Sequence, residues 1–181
     1  MNLPNKITLI RILMVPLFMI VLLWNFPYHN LAAAVLFVLA AATDGVDGHI
    51  ARSRNLVTDF GKFADPLADK LLVCTALICL VGMGRIPSYM VVIIIAREFI
   101  VMGLRQIAMT KGVVIAAEMT GKIKTVIQII ATVCAILFYA PPFDIAGFSL
   151  GYIAMGIATA FTIYSGVDYL WRNRAIIGNA K

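Results

Sequence analysis

Apolar stretches of about twenty residues recur along nearly the whole chain, each long enough at a helical rise of 1.5 Å per residue to cross a hydrocarbon core of about 30 Å. Six are visible, over roughly residues 7 to 26, 31 to 52, 62 to 82, 88 to 110, 119 to 140 and 148 to 171. Only short connections separate them, at 27–30, 53–61, 84–87, 111–118 and 141–147, which leaves no room for a second folding unit. The chain therefore reads as an all-α integral membrane protein of six transmembrane helices in a single domain, residues 1–181. Composition agrees: 62% hydrophobic residues, 13% charged residues and a mean hydropathy of +0.95 lie outside the usual range of soluble domains. The first run continues to Trp24 with no small-residue cleavage pattern before Pro27 and Tyr28, so it is expected to stay attached rather than act as a signal peptide.

A formal charge of +6 raises nucleic acid as a partner, but the fifteen Lys and Arg residues are scattered over segment ends rather than grouped on a soluble face. Anionic lipid headgroups are the expected neighbours and nucleic acid is not. With the amino terminus inside, Lys6, Arg11, Arg52, Arg54, Lys62, Lys111, Lys122, Lys124, Arg172, Arg174 and Lys181 fall on the cytoplasmic side, against Arg85 in an outer loop. This asymmetry sets the expected orientation, with the amino terminus at the cytoplasmic face. Cys74, Cys79 and Cys134 all lie within apolar runs, with Cys74 and Cys79 five apart on one helix, poor geometry for a disulfide. They are expected to serve as small core residues.

Four aspartates interrupt this pattern: Asp44 and Asp47 near the end of the second run, Asp65 and Asp69 near the start of the third. A carboxylate inside a bilayer-length helix costs roughly 2.5 to 3.5 kcal/mol, so it persists with a partner or a task. Spacings of three and four project each pair to one side of its own helix, and a short loop joins the two helices into a hairpin that can bring the faces together. Such a cluster repels itself unless cations neutralise it, and oxygen-only ligation favours a hard ion, Mg²⁺ with Mn²⁺ as the alternative. Gly48 and Ala51 share a stripe with Asp44, and Gly61 and Ala68 lie close to Asp65. That bare stripe suits close helix packing. It equally suits a flat ligand, a nucleotide base and ribose, with Arg52 meeting a phosphate.

The arrangement D-x2-D-G-x2-A-R-x8-G-x3-D-x3-D resembles the signature of the CDP-alcohol phosphotransferases, and Asp44, Asp47, Gly48, Ala51, Arg52, Gly61, Asp65 and Asp69 fill its fixed positions. Eight specified residues at fixed spacing arise by chance with a probability on the order of 10⁻¹⁰ per starting position, so the resemblance is specific. It implies a six-helix fold, usually a homodimer, with two metal ions in a cavity facing the cytoplasm. By resemblance, Asp44, Asp47 and Asp65 ligate metal, and Asp69 ligates metal and acts as general base. Asp44, Gly48, Ala51, Arg52 and Gly61 line the CDP site. His49, at a variable position of the motif, is left out of the site.

The fourth and fifth segments also carry unusual cations: Arg97 and Arg105 in the fourth, Lys122 and Lys124 in the fifth. Arg97 stands about 20 Å from the inner end of its helix if that helix stops at Thr110, and needs a partner there. Arg97 and Arg105, eight apart, are placed to form a bipartite anion site with Lys122 and Lys124. The competing reading is that the arginines neutralise acids and the lysines snorkel to the interface. Lys122 and Lys124 splay by about 200° and should not both face one pocket. Glu98, adjacent to Arg97, should point away from it and reach it only through a neighbouring helix. The strings Ala96-Arg97-Glu98-Phe99 and Gly121-Lys122-Ile123-Lys124-Thr125, with Pro4, Asn5, Thr8 and Arg11, look like the branch of the family that moves a phosphatidyl group from CDP-diacylglycerol to glycerol 3-phosphate. An anionic acceptor accounts for the extra cations. The rival acceptors are inositol phosphate, serine and phosphatidylglycerol. A divalent-cation transporter and a noncatalytic assembly factor are the readings from other classes, and the lack of an acidic path to the outer face, where only Asp144 occurs, argues against transport.

Overall fold

The computed structural model describes the backbone of residues 3–53, 59–110, 119–139, 144–145 and 148–174, and the side chains of residues 9–42, 70–110, 119–139 and 148–174. Among the described residues the order is α1 (Leu3–Leu23), α2 (His29–Ser53), α3 (Asp59–Gly82), α4 (Ser88–Thr110), α5 (Met119–Leu137), β1 (Asp144–Ile145), β2 (Phe148–Ser149) and α6 (Leu150–Arg172). The helices follow the apolar runs closely. α1 begins before residue 7 and ends before 26, and residues 141–147, expected as a plain connection, contribute one strand of a minimal antiparallel hairpin that pairs Asp144 with Ser149 and Ile145 with Phe148.

Local chemistry explains the ends. α3 stops where Gly84 takes a left-handed φ of +69°, which lets the Arg85 amide reach the Leu80 carbonyl (3.0 Å) and the Gly84 amide reach Val81 (2.9 Å), closing the last turn before Pro87. α6 starts at Ser149, whose hydroxyl accepts from the Tyr152 amide at 3.2 Å. Between α1 and α2, Tyr28 adopts φ +65° and the His29 ring donates Nδ1–H to the Leu22 carbonyl at 3.1 Å.

The principal packing pairs are α5 with α6, α1 with α2 and α3, α4 with α6, and α2 with α5. Their shared core includes Phe18, Leu22, Phe37, Leu72, Leu77, Leu80, Ile94, Ile136 and Met155. α5 and α6 approach closely at Gly151, where a Cβ would stand 2.7 Å from the Ala135 Cα and 2.9 Å from the Cys134 carbonyl oxygen. Small residues permit such approach where apolar burial gives little drive between helices. The outward face is as apolar as the core, with Leu13, Val92, Ile157 and Val167 exposed, and Trp24, Tyr28 and Trp171 stand exposed near helix ends, as interfacial aromatics do. Buried hydroxyls of Thr132, Thr159 and Thr162 bond carbonyls one turn back, so they add no unmet donors to the interior. Among the described residues, α5 and α6 are long and apolar enough to cross a membrane, and Leu9–Leu23, His29–Ala42 and Lys70–Gly82 are shorter apolar stretches. Cys74, Cys79 and Cys134 lie within helices and form no disulfide, as expected.

Candidate active site

The eight motif residues fall on two helices that pack together: Asp44, Asp47, Gly48, Ala51 and Arg52 on α2, and Gly61, Asp65 and Asp69 on α3. Their side chains, with that of His49, lie outside the described residues. On the helical backbone observed, Asp44 and Asp47 are one turn apart, as are Asp65 and Asp69.

One residue beyond Asp69 begins a charge cluster in full view. Lys70 of α3 places its Nζ 2.6 Å from Glu98 Oε2. Glu98 of α4 also receives Lys124 of α5, which bonds Oε1, and the Arg97 guanidinium, whose Nη1 donates to Oε1 at 3.2 Å. Arg97 Nη2 donates to the buried Ser165 hydroxyl of α6 at 2.8 Å. Three cations thus meet one carboxylate, drawn from three helices, and the named groups sum to +2. Among the described residues Arg97 Nε and Gln128 Oε1 are buried without a hydrogen-bond partner. Lys70, Glu98, Lys124 and Gln128 line a cleft bounded by α2, α3, α4 and α5, together with Thr125 and the apolar Phe37, Leu77 and Ile94.

One expectation changes here, and one competing reading falls. Arg97 and Glu98 do pair, although neighbouring residues leave a helix about 100° apart, because the long guanidinium stem folds back along the helix to reach its neighbour's carboxylate. Lys124, only 3% exposed, does not snorkel to the interface; it turns inward to Glu98. Lys122, two residues earlier, is exposed, as the splay angle requires, and so stands on a different side of α5 from Lys124. Arg105 lies two turns along α4 from Arg97, where its Nε donates to the Tyr169 hydroxyl at 3.3 Å and its guanidinium sits 5.6 Å from that ring. Both arginines therefore face α6. Arg11, grouped with the surface cations, is in fact 2% exposed within α1. Asp168 pairs with Arg172 at 2.7 Å across one turn of α6.

Sequence reasoning missed Lys70, Gln128 and Ser165. Lys70 gave a signal, an ionisable group directly following a motif aspartate inside an apolar run, whereas Gln128 and Ser165 are ordinary polar residues whose inward placement only packing reveals. Gly166 belongs with them: a Cβ there would come within 3.0 Å of the Arg97 Cγ, so the bare backbone leaves the space in which the arginine stem lies.

The family model of CDP-alcohol phosphatidyltransferases matches residues 1–164. A CDP-diacylglycerol–glycerol-3-phosphate 3-phosphatidyltransferase of Bacillus subtilis (strain 168) is 50% identical over 184 residues, covering 95% of each chain. A protein of the same name from Rickettsia bellii (strain RML369-C) is 39% identical over 168 residues, covering 93% of each.

Proposed function

The chain belongs to the CDP-alcohol phosphatidyltransferase family, and from that premise we propose that it transfers a phosphatidyl group from CDP-diacylglycerol to glycerol 3-phosphate, yielding phosphatidylglycerophosphate and CMP. The observation that carries the acceptor assignment is the excess of cations around Glu98, which suits a small anionic alcohol and offers a neutral one nothing in return. The names of relatives at 50% and 39% identity support the same substrates.

The donor set fits hard divalent ions, since α2 and α3 pack together and carry four carboxylates that supply oxygen alone. Asp44, Asp47, Asp65 and Asp69 would hold two Mg²⁺ ions, or Mn²⁺. When bound, the ions supply Lewis acidity and offset charge on the diphosphate. Gly48, Ala51 and Gly61 leave bare backbone for the cytidine, with Asp44 beside it and Arg52 meeting a CDP phosphate. Of the cations expected to bind the acceptor's phosphate, Arg97, Arg105 and Lys124 are assigned to it, whereas Lys122, exposed on another side of α5, is not brought to the cluster. In the transfer, an acceptor hydroxyl oxygen forms a bond to the lipid-side phosphorus, the bond from that phosphorus to the CMP oxygen breaks, and CMP leaves with the electron pair. Asp69 takes the hydroxyl proton.

In this reading all six helices cross the inner membrane, the amino terminus and the site face the cytoplasm, residues 1–181 form one catalytic domain, and two copies form a homodimer among membrane lipids. The positive residues at the ends of α2, α3, α4 and α6 support that orientation. Purified protein given CDP-diacylglycerol and Mg²⁺ with glycerol 3-phosphate, inositol phosphate or serine in parallel should release CMP with glycerol 3-phosphate. Release with serine or inositol phosphate instead would overturn the acceptor, and loss-free turnover in the presence of EDTA would overturn the metal.

A further inference from the structure

Resting on that acceptor reading, we propose that Glu98 is a positioning residue: it gathers Lys70, Arg97 and Lys124 into a preformed receptor for a phosphomonoester dianion, and so sets the enzyme's preference for a phosphorylated acceptor. Each of the three cations comes from a different helix, α3, α4 or α5. Brought together without an anion they would repel one another. Glu98 offsets this repulsion using both oxygens, Oε2 toward Lys70 and Oε1 toward Arg97 and Lys124. It also fixes flexible side chains before substrate arrives, so less rotamer freedom is lost on binding.

A phosphate monoester carries about −1.5 to −2 near neutral pH, an anion that a gathering of lysine and arginine side chains suits. A carboxylate present only to neutralise one buried cation would need one partner, not three. Among the described residues Arg97 Nε has no hydrogen-bond partner, and Gln128, 4% exposed, lines the cleft with Lys70, Glu98 and Lys124, its Oε1 an acceptor for a hydroxyl. Lys70 directly follows Asp69 on the backbone of α3.

The test is steady-state kinetics on the purified full chain, with each substrate varied. Glu98→Gln keeps the shape and removes the charge; it should raise the acceptor KM by about tenfold or more while the CDP-diacylglycerol KM stays within about twofold, as expected for loss of a charge-assisted contact network. Glu98→Asp should recover most of that loss. An unchanged acceptor KM in Glu98→Gln, or both KM values rising together, overturns the proposal. If Glu98→Gln does not fold, Glu98→Asp decides alone: a selective rise of about threefold in acceptor KM is the expected result for a shortened reach, and a parallel rise or no rise is the contrary one. Wild-type protein that releases no CMP with glycerol 3-phosphate removes the acceptor reading and this inference with it. Wild-type turnover with unaffected Glu98 variants removes this inference alone.

Discussion

Arg85 and the Glu98 cluster are both buried cationic sites in an apolar bundle, yet their partners are disposed in opposite ways. Arg85, in the turn between α3 and α4, donates Nη1 to the Ile136 carbonyl and Nη2 to Asn30 Oδ1, each at 2.8 Å, and lays its guanidinium 3.7 Å from the centre of the Tyr139 ring. Burial pulls its pKa below the usual guanidinium value, and Tyr139 works in the other direction. One cation is used up in tying α2, α3 and α5 together. Around Glu98, three cations share a single carboxylate and leave an arginine nitrogen unmatched. The same residue type is a structural tie where the protein satisfies it and a binding group where the protein leaves it in excess. Effects on activity should therefore concentrate at the cluster, and effects on stability at the tie.

The largest effect is expected beside the cluster. Asp69→Asn should lower kcat by roughly 10² to 10⁴, the usual contribution of a general base, while retaining measurable CDP-lipid binding. Full turnover by this variant would remove the proton-acceptor role. Next comes Arg105→Ala, which should raise the acceptor KM by about tenfold with kcat little changed, the loss expected for one hydrogen bond to a charged group. Acceptor kinetics indistinguishable from wild type would confine Arg105 to its contact with Tyr169 and place it on the Arg85 side of the comparison.

How much of this was legible depends on what each feature needs. The helices were legible because bilayer-length apolar runs constrain the backbone over twenty residues at a time; Ser88–Thr110 matches its expected bounds to the residue. Arg97 was legible as a cation too deep to stand alone, and Lys124 as a candidate for the same anion site. Their meeting point was not, because convergence on Glu98 depends on how α3, α4 and α5 pack, and a helical wheel treats each helix separately. The Arg97–Glu98 contact went against the wheel for a related reason: the wheel gives Cβ directions, and a guanidinium reaches several ångströms beyond them. Arg85 read only as a cation in an outer loop, since nothing local reveals the Ile136 carbonyl fifty-one residues away.

Two stability variants sharpen the contrast from the other side. Gly151→Ala pushes a methyl group into backbone, 2.7 Å from the Ala135 Cα, so α5 and α6 must separate; about 1 to 3 kcal/mol of stability should be lost, read as a lower melting temperature in detergent. Arg85→Ala leaves Asn30 and the Ile136 carbonyl without their donor and should cost about 1 to 3 kcal/mol. In both, the acceptor KM measured below the melting transition should equal that of wild type. A raised acceptor KM in Arg85→Ala would mean that the tie and the cluster are coupled through α3 or α5.

Gly166→Ala tests the boundary between the two kinds of site with the smallest expected effect. Its added Cβ meets the Arg97 Cγ at 3.0 Å, a contact with a side-chain stem rather than with backbone, so the arginine can yield by a few tenths of an ångström. Folding should be nearly unaffected, in contrast to Gly151→Ala. The displacement acts on a guanidinium that bonds both Ser165 and Glu98, and small misplacements of a binding group weaken charge-assisted bonds that depend on direction. A rise of roughly two- to fivefold in acceptor KM with unchanged melting temperature is therefore expected. The reverse pattern, a lowered melting temperature with unchanged acceptor KM, would show that the Arg97 stem serves α4–α6 packing alone and that its position carries no information about the acceptor.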